Sequence, residues 1–274
     1  MSFLQNVLRV MDTQMERPGL FGWFHILWLA ITILVGIGLC IWHRRNGDER
    51  RVRKVVFIVA LTVFILEIYK MINYSFSYED GIVFDFQWYA FPWQFCSTPM
   101  YVGLLTGLFR KGKVHDALCA YLATYAVFAG AAVMIYPGDV FIGTIGINIQ
   151  TMICHGSMIS VGIYLLYTGY VKLEHKTILK ALPVFACTVL IAVVLNEVAY
   201  FSGLLETDTF NMFFISRHEE CTLPVYSLVH NAVPFPINLV IYIAGFTAAA
   251  YLMLVLGMGI RSLGRKLGAG KVAV

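Results

Sequence analysis

Residues 50–75, RRVRKVVFIVALTVFILEIYKMINYS, decide the fold. Four cations open the stretch, and about twenty residues follow in which Glu67 and Lys70 are the only charges. At about 1.5 Å of rise per residue, such a run crosses the roughly 30 Å hydrocarbon core of a bilayer as a helix. The same reading along the chain predicts spans near 22–42, 55–75, 91–109, 115–136, 147–169, 178–201 and 235–260, seven in all. Composition agrees. Hydrophobic residues make up 59% of the 274 and charged residues 13%, with a mean hydropathy of +0.75, too little polar surface to cover a water-soluble globule of this size. The expected fold is therefore all-α: a polytopic seven-transmembrane-helix bundle, one membrane domain over residues 1–274.

Charge orients the spans, because short cytoplasmic loops retain Lys and Arg. Sixteen of the twenty basic residues fall on one side: Arg44, Arg45, Arg50, Arg51, Arg53 and Lys54; Arg110, Lys111 and Lys113; Lys172, Lys176 and Lys180; and Arg261, Arg265, Lys266 and Lys271. The opposite loops carry Glu79, Asp80, Asp85, Asp139, Glu206, Asp208, Glu219 and Glu220. An odd number of spans with a basic tail gives N-out, C-in. The pI near 8.7 reflects this asymmetry, so no nucleic-acid partner is inferred from it. Residues 1–20 mix polar and apolar types, and His43-Arg44-Arg45 follows the first span in place of a small-residue cleavage site, so the first helix is expected to stay. The outer segment 202–234 is too aromatic and apolar for a solvated linker and is expected to fold back on the mouth of the bundle.

An ionisable side chain at membrane depth costs roughly 2.5–3.5 kcal/mol on insertion scales, so each needs a partner, a wet cavity or a task. Glu67 and Lys70 in span two, Gln150 and His155 in span five and Asn196 and Glu197 in span six are such residues. His25 opens span one, Gln94 and Cys96 open span three, and His230, Asn231 and Asn238 open span seven. By helix rise, all lie within about 15 Å of the outer surface. An outward-facing polar chamber explains them together, with an inner half nearly bare of polar groups. Simpler readings stand beside it: Glu67 and Lys70, three apart, can neutralise each other; His155, beside Gly156 and Ser157, can join helices; His25 can anchor at the interface; and Gln150, Asn196 and Asn238 can be interhelical hydrogen bonders. Gly103 and Gly107 form a GxxxG packing motif.

The stretch 91–101, FPWQFCSTPMY, carries the most local information. Pro92 can start a helix, whereas Pro99 deprives Phe95 of a hydrogen bond and crowds its carbonyl, so the helix should bend around Cys96. Freed backbone groups near a helix start favour a reactive thiolate. A packed thiol and a disulfide from Cys96 to Cys221 are the alternatives. The six cysteines form no disulfide framework, since five lie in predicted spans.

Early His25, Glu67 in span two, Pro92-x-x-x-Cys96, FAGAAVMIYP over 128–137, His155-Gly156 and Asn196 together resemble the bacterial YwaF-like membrane proteins. More distantly, the chain is similar to the eukaryotic transmembrane protein 164 family. The similarity runs over most of the chain. It implies a lipid-facing function, because the eukaryotic relatives are cysteine-dependent acyltransferases that move a fatty acyl chain onto lysophospholipids. Cys96 matches the cysteine of the bacterial pattern Leu-Pro-Leu-His-Leu-Cys, while Gln94 replaces its histidine.

Three functions follow. In the first, an acyltransferase of the bacterial plasma membrane uses Cys96 as nucleophile and His155 as base, oriented by Glu67 or Glu197. In the second, a transporter, binding protein or receptor holds a small polar ligand with His25, Gln94, Gln150, Asn196, His230 and Asn238. Neither Asp-Arg-Tyr after span three nor Asn-Pro-x-x-Tyr in span seven is present, and span seven lacks a lysine for retinal. The third is a metal-dependent hydrolase using His155, Cys96, Glu67 and either His25 or His230. It has no HxxxH, HExxH or CxxC spacing behind it, and neither a metal nor a cofactor is assigned.

Overall fold

A computed structural model describes residues 2–46, 48–203, 205, 209–230 and 232–269. The readings placed on Glu206, Asp208, Asn231 and Lys271, and on the side chains of Arg44, Arg45 and Arg265, lie outside the described residues. A short helix α1 (Phe3–Met11) begins in a capping box, Ser2 and Gln5 bonding each other's backbone N–H. It lies across the end of the bundle opposite the basic loops, where Tyr69 donates to the Met11 carbonyl (2.6 Å).

Asp48 caps α3 (Glu49–Ser75) by accepting from Arg51 N–H at 2.7 Å, so the helix starts inside the cationic run and carries the apolar stretch. The other long helices are α2 (Trp23–Asn46), α7 (Ile145–Tyr167), α8 (Lys176–Ser202) and α10 (Phe235–Ala269). Helix α8 ends at left-handed Gly203 (φ +68°), and Pro236 falls in the first turn of α10. The fourth predicted span divides into α5 (Lys113–Leu122) and α6 (Tyr125–Ile135), which together are long enough to cross. Among the described residues six helical segments have the length and apolarity of a membrane span, and the chain is a helical integral membrane protein.

The third predicted span differs from expectation. Within 91–109 only α4 (Thr98–Leu108) is regular helix, about 16 Å long by its rise, or half the hydrocarbon thickness. Before it, Trp88–Ala90 form a single 3-10 turn and residues 91–97 run irregularly. Pro99 explains the late start. Pro99 sits in the first helical turn, where its missing N–H is harmless, and the helix does not continue N-terminal of it. The Phe95 carbonyl that an amide at position 99 would have served accepts instead from Thr98 Oγ1 (3.0 Å). A second departure is a two-stranded hairpin, β1 (Phe76–Ser77) with β2 (Val83–Phe84), whose turn uses Gly81 at φ +127°.

Helix α3 packs on α4, and α7 on α2 and α6. A β-carbon at Gly103 would stand 2.7 Å from Ala60 Cβ, and one at Gly107 would overlap Phe57, so the GxxxG motif sets the α3–α4 approach. Gly156 gives α2 the same access at Thr32. The segment after α8 folds back as expected: Phe210, Met212, Phe213 and Ile215 are buried against the bundle, followed by the single turn α9 (Ser227–His230).

Candidate functional site

Helices α3 and α7 bring one ionic group together inside the bundle. Lys70 Nζ donates to Glu67 Oε1 at 2.5 Å, Gln150 Nε2 donates to Glu67 Oε2 at 3.0 Å, and Thr151 Oγ1 donates to Gln150 Oε1 at 3.4 Å. Glu67 is 4% exposed, and its charge is neutralised by its own helix and held by a second. The ion pair predicted at i, i+3 is present, and Gln150 completes it.

One turn along α7, His155 is 5% exposed. Its Nδ1 lies 2.8 Å from the Thr151 carbonyl oxygen, which can only accept, so Nδ1 carries the hydrogen. In the neutral ring Nε2 is then a lone pair, and this atom is buried without a hydrogen-bond partner among the described residues. A buried imidazole nitrogen left without a partner is uncommon, and it is the arrangement a proton acceptor needs.

Cys96 lies partly exposed in the irregular segment before α4. That segment meets α7 beside His155, where the Cys154 thiol points at the Cys96 carbonyl oxygen, a long contact of 3.8 Å. No hydrogen bond joins the Cys96 sulfur to His155. Cys96 and Cys221 are both free thiols, and burial pushes the Cys221 thiol up from its ordinary value. Beside the ionic group, an apolar groove of about 310 Å³ runs between α3, the hairpin and the lead-in to α4. Phe64, Ile68, Met71, Phe84, Phe86 and Tyr101 line it, and Glu67 is its carboxylate wall residue.

Of the remaining predicted residues, Asn196, Gln94, His230, Asn238 and His25 hold backbone. Asn196 Oδ1 accepts from Met212 N–H (2.8 Å) while its Nδ2 donates to the Met212 carbonyl (3.0 Å). Gln94 does the same across two residues, accepting from Phe213 N–H (2.9 Å) and donating to the Asn211 carbonyl (3.0 Å). Together they seat the returning loop with Phe213 and Phe214 in left-handed conformation, φ 59° and 56°. His230 Nε2 donates to the Ser216 carbonyl (3.0 Å), and Asn238 Nδ2 donates to the His230 carbonyl (2.8 Å). His25 is buried, with Nδ1 accepting from Phe21 N–H (3.0 Å) and Nε2 donating to the Met134 carbonyl (2.8 Å), so both ring nitrogens are occupied.

Glu197 is held from the returning loop, twenty residues on: Arg217 Nη2 donates to its Oε2 at 2.7 Å, and His218 Nε2 lies 3.3 Å from the same oxygen. The carboxylate in turn holds the Arg217 guanidinium above its usual range. Glu197 makes no hydrogen bond to His155. Among the described residues, no three His, Cys, Asp or Glu side chains come together as a metal would require.

The expectation of a bare inner half is corrected. Near the basic loops, His115 Nε2 meets Tyr170 Oη at 2.8 Å and Cys119 Sγ at 3.4 Å, so polar side chains are buried at this end as well. His115 and Cys119 stand four apart on α5, a spacing already contained in the predicted span 115–136. The TMEM164 family model matches residues 20–257, a range that holds Glu67, Cys96, His155 and the returning loop. No curated protein and no solved structure matches the chain.

Proposed function

Since this chain belongs to the TMEM164 family, we propose that it is a membrane-embedded acyltransferase that passes a fatty acyl chain between phospholipids through Cys96. The observation that carries this reading is the unpartnered Nε2 of His155, on the helix turn that also touches the backbone of Cys96. His155 takes the Cys96 thiol proton at Nε2, and the thiolate attacks the ester carbonyl of a donor phospholipid. The lysophospholipid alkoxide leaves with that proton, and a thioester remains on Cys96. His155 then deprotonates the hydroxyl of an acceptor lysophospholipid, whose oxygen displaces the thiol, and the proton returns to sulfur. The donor's acyl chain lies in the apolar groove beside Glu67, in contact with bilayer hydrocarbon. Glu67, Lys70 and Gln150 fix the polar edge of the site. Movement of the irregular segment 91–97 brings sulfur and imidazole into contact as substrate enters.

The same reading takes α4 with its lead-in as a seventh crossing, N-terminus outside and C-terminus in the cytoplasm of a bacterial cell, since the basic residues gather at one end. The test is acyl exchange in phosphatidylcholine vesicles supplied with a labelled lysophospholipid, followed by mass spectrometry. Cys96→Ala and Cys96→Ser should each lose turnover by at least about a hundred-fold. Full turnover in both sinks the cysteine mechanism and leaves the groove as a ligand-binding site.

A further inference from the structure

The end of the bundle remote from His155 holds a second cavity, of about 570 Å³, between the start of α3 and the end of α4. Arg50, Arg53 and Lys54 line its polar side, and Phe57, Gly107 and Leu108 its apolar side. Glu49 also faces it, with its carboxylate 3.8 Å from Lys111 Nζ. Arg50 and Lys54 are exposed and make no ion pair among the described residues. Arg53 is held differently. Its Nη2 donates to the Gly107 carbonyl at 3.0 Å, a carbonyl near the open end of α4, and its Nε is buried with no hydrogen-bond partner among the described residues. Three cations thus converge on one space, one of them half-buried with an N–H unused, and the one carboxylate present is already opposed by a lysine.

We propose that this cavity binds a phosphate group, and that the phosphate is that of an anionic phospholipid headgroup. Guanidinium and ammonium groups facing an oxyanion supply the charge-assisted hydrogen bonds such a group needs. The apolar wall favours a lipid source. Leu108 is 67% exposed and Leu105, one turn back on the same face of α4, is exposed too, so a headgroup held by Arg50, Arg53 and Lys54 would lay its chains along this apolar face. This site is independent of the acyl-transfer reading, because it lies at the other end of α3 from Glu67.

The test is the thermal unfolding midpoint of the purified full chain in neutral detergent, titrated with phosphatidylglycerol, with phosphatidylcholine, or with inorganic phosphate. Ligand that binds only the folded state raises the midpoint. Phosphatidylglycerol should raise it saturably and phosphatidylcholine should not. Arg50→Gln and Lys54→Gln, both on exposed side chains, should each weaken the response roughly five-fold, and the double variant about twenty-five-fold. Lys176→Gln, a cation at the same end but outside the cavity, should leave the titration unchanged. If inorganic phosphate alone gives the saturable response and loses it in the double variant, the phosphate site stands with a free anion as its source. Equal responses to both lipids, an unaltered curve in the double variant, or an equal loss in Lys176→Gln would each overturn the site.

Discussion

Asn196 and His155 are both buried polar side chains inside the same bundle, and they are used in opposite ways. Asn196, with Gln94, spends its hydrogen bonds on three consecutive residues of the returning loop, Asn211 to Phe213. His155 uses one ring nitrogen on its own helix and leaves the other empty. Burial does not separate them; the basic imidazole and its saturation do. A polar group whose bonds all close on backbone is fastening, whereas one held rigidly with a lone pair to spare is equipped for proton transfer.

The largest test of that contrast is His155→Ala. Acyl exchange should fall about a hundred- to ten-thousand-fold, the usual worth of a general base, with the unfolding midpoint nearly unmoved. A large midpoint drop with residual activity would class His155 with the fasteners. Glu67→Gln comes next: it leaves Lys70 uncompensated in the membrane and should cost about 3–5 kcal/mol in reversible unfolding, while Glu67→Gln with Lys70→Met should recover most of it. Unequal partners would show as no recovery. Asn196→Ala should destabilise by about 1–3 kcal/mol, since it strands the Met212 amide and carbonyl together. The smallest effect is the coupling between Asn196→Ala and Gln94→Ala. Because both hold one loop, a double-mutant cycle should return about 0.5–2 kcal/mol, and additivity would show that the loop has two separate seats.

The long spans were legible because twenty apolar residues leave a chain few alternatives in lipid. The third is shorter than its reading: Pro92 is expected to start the helix and Pro99 to bend it, yet regular helix begins only at Thr98, with Pro99 in its first turn. For the site, Glu67 with Lys70 was visible as an i, i+3 pair, and Gln150, Asn196 and Asn238 as bonding residues. What Asn196 and Gln94 bond was not, since their partners are loop amides and carbonyls with no side-chain signature. Arg217 was hidden from Glu197 for a related reason, because the turn that returns it lies in irregular chain that periodicity does not describe.

Phe213 and Phe214 hold a conformation that costs of order 1–3 kcal/mol per residue for a bulky side chain, and the bonds opposing that cost sit on Asn211, Met212 and Phe213 themselves. Strain and restraint therefore occupy the same three or four residues. The loop has no reason to loosen by degrees: once Asn196 lets go of Met212, the strain favours full release. Its amides should exchange with solvent as one kinetic group, Met212 and Phe213 at a single rate, and the mouth of the bundle would open and shut as a two-position latch.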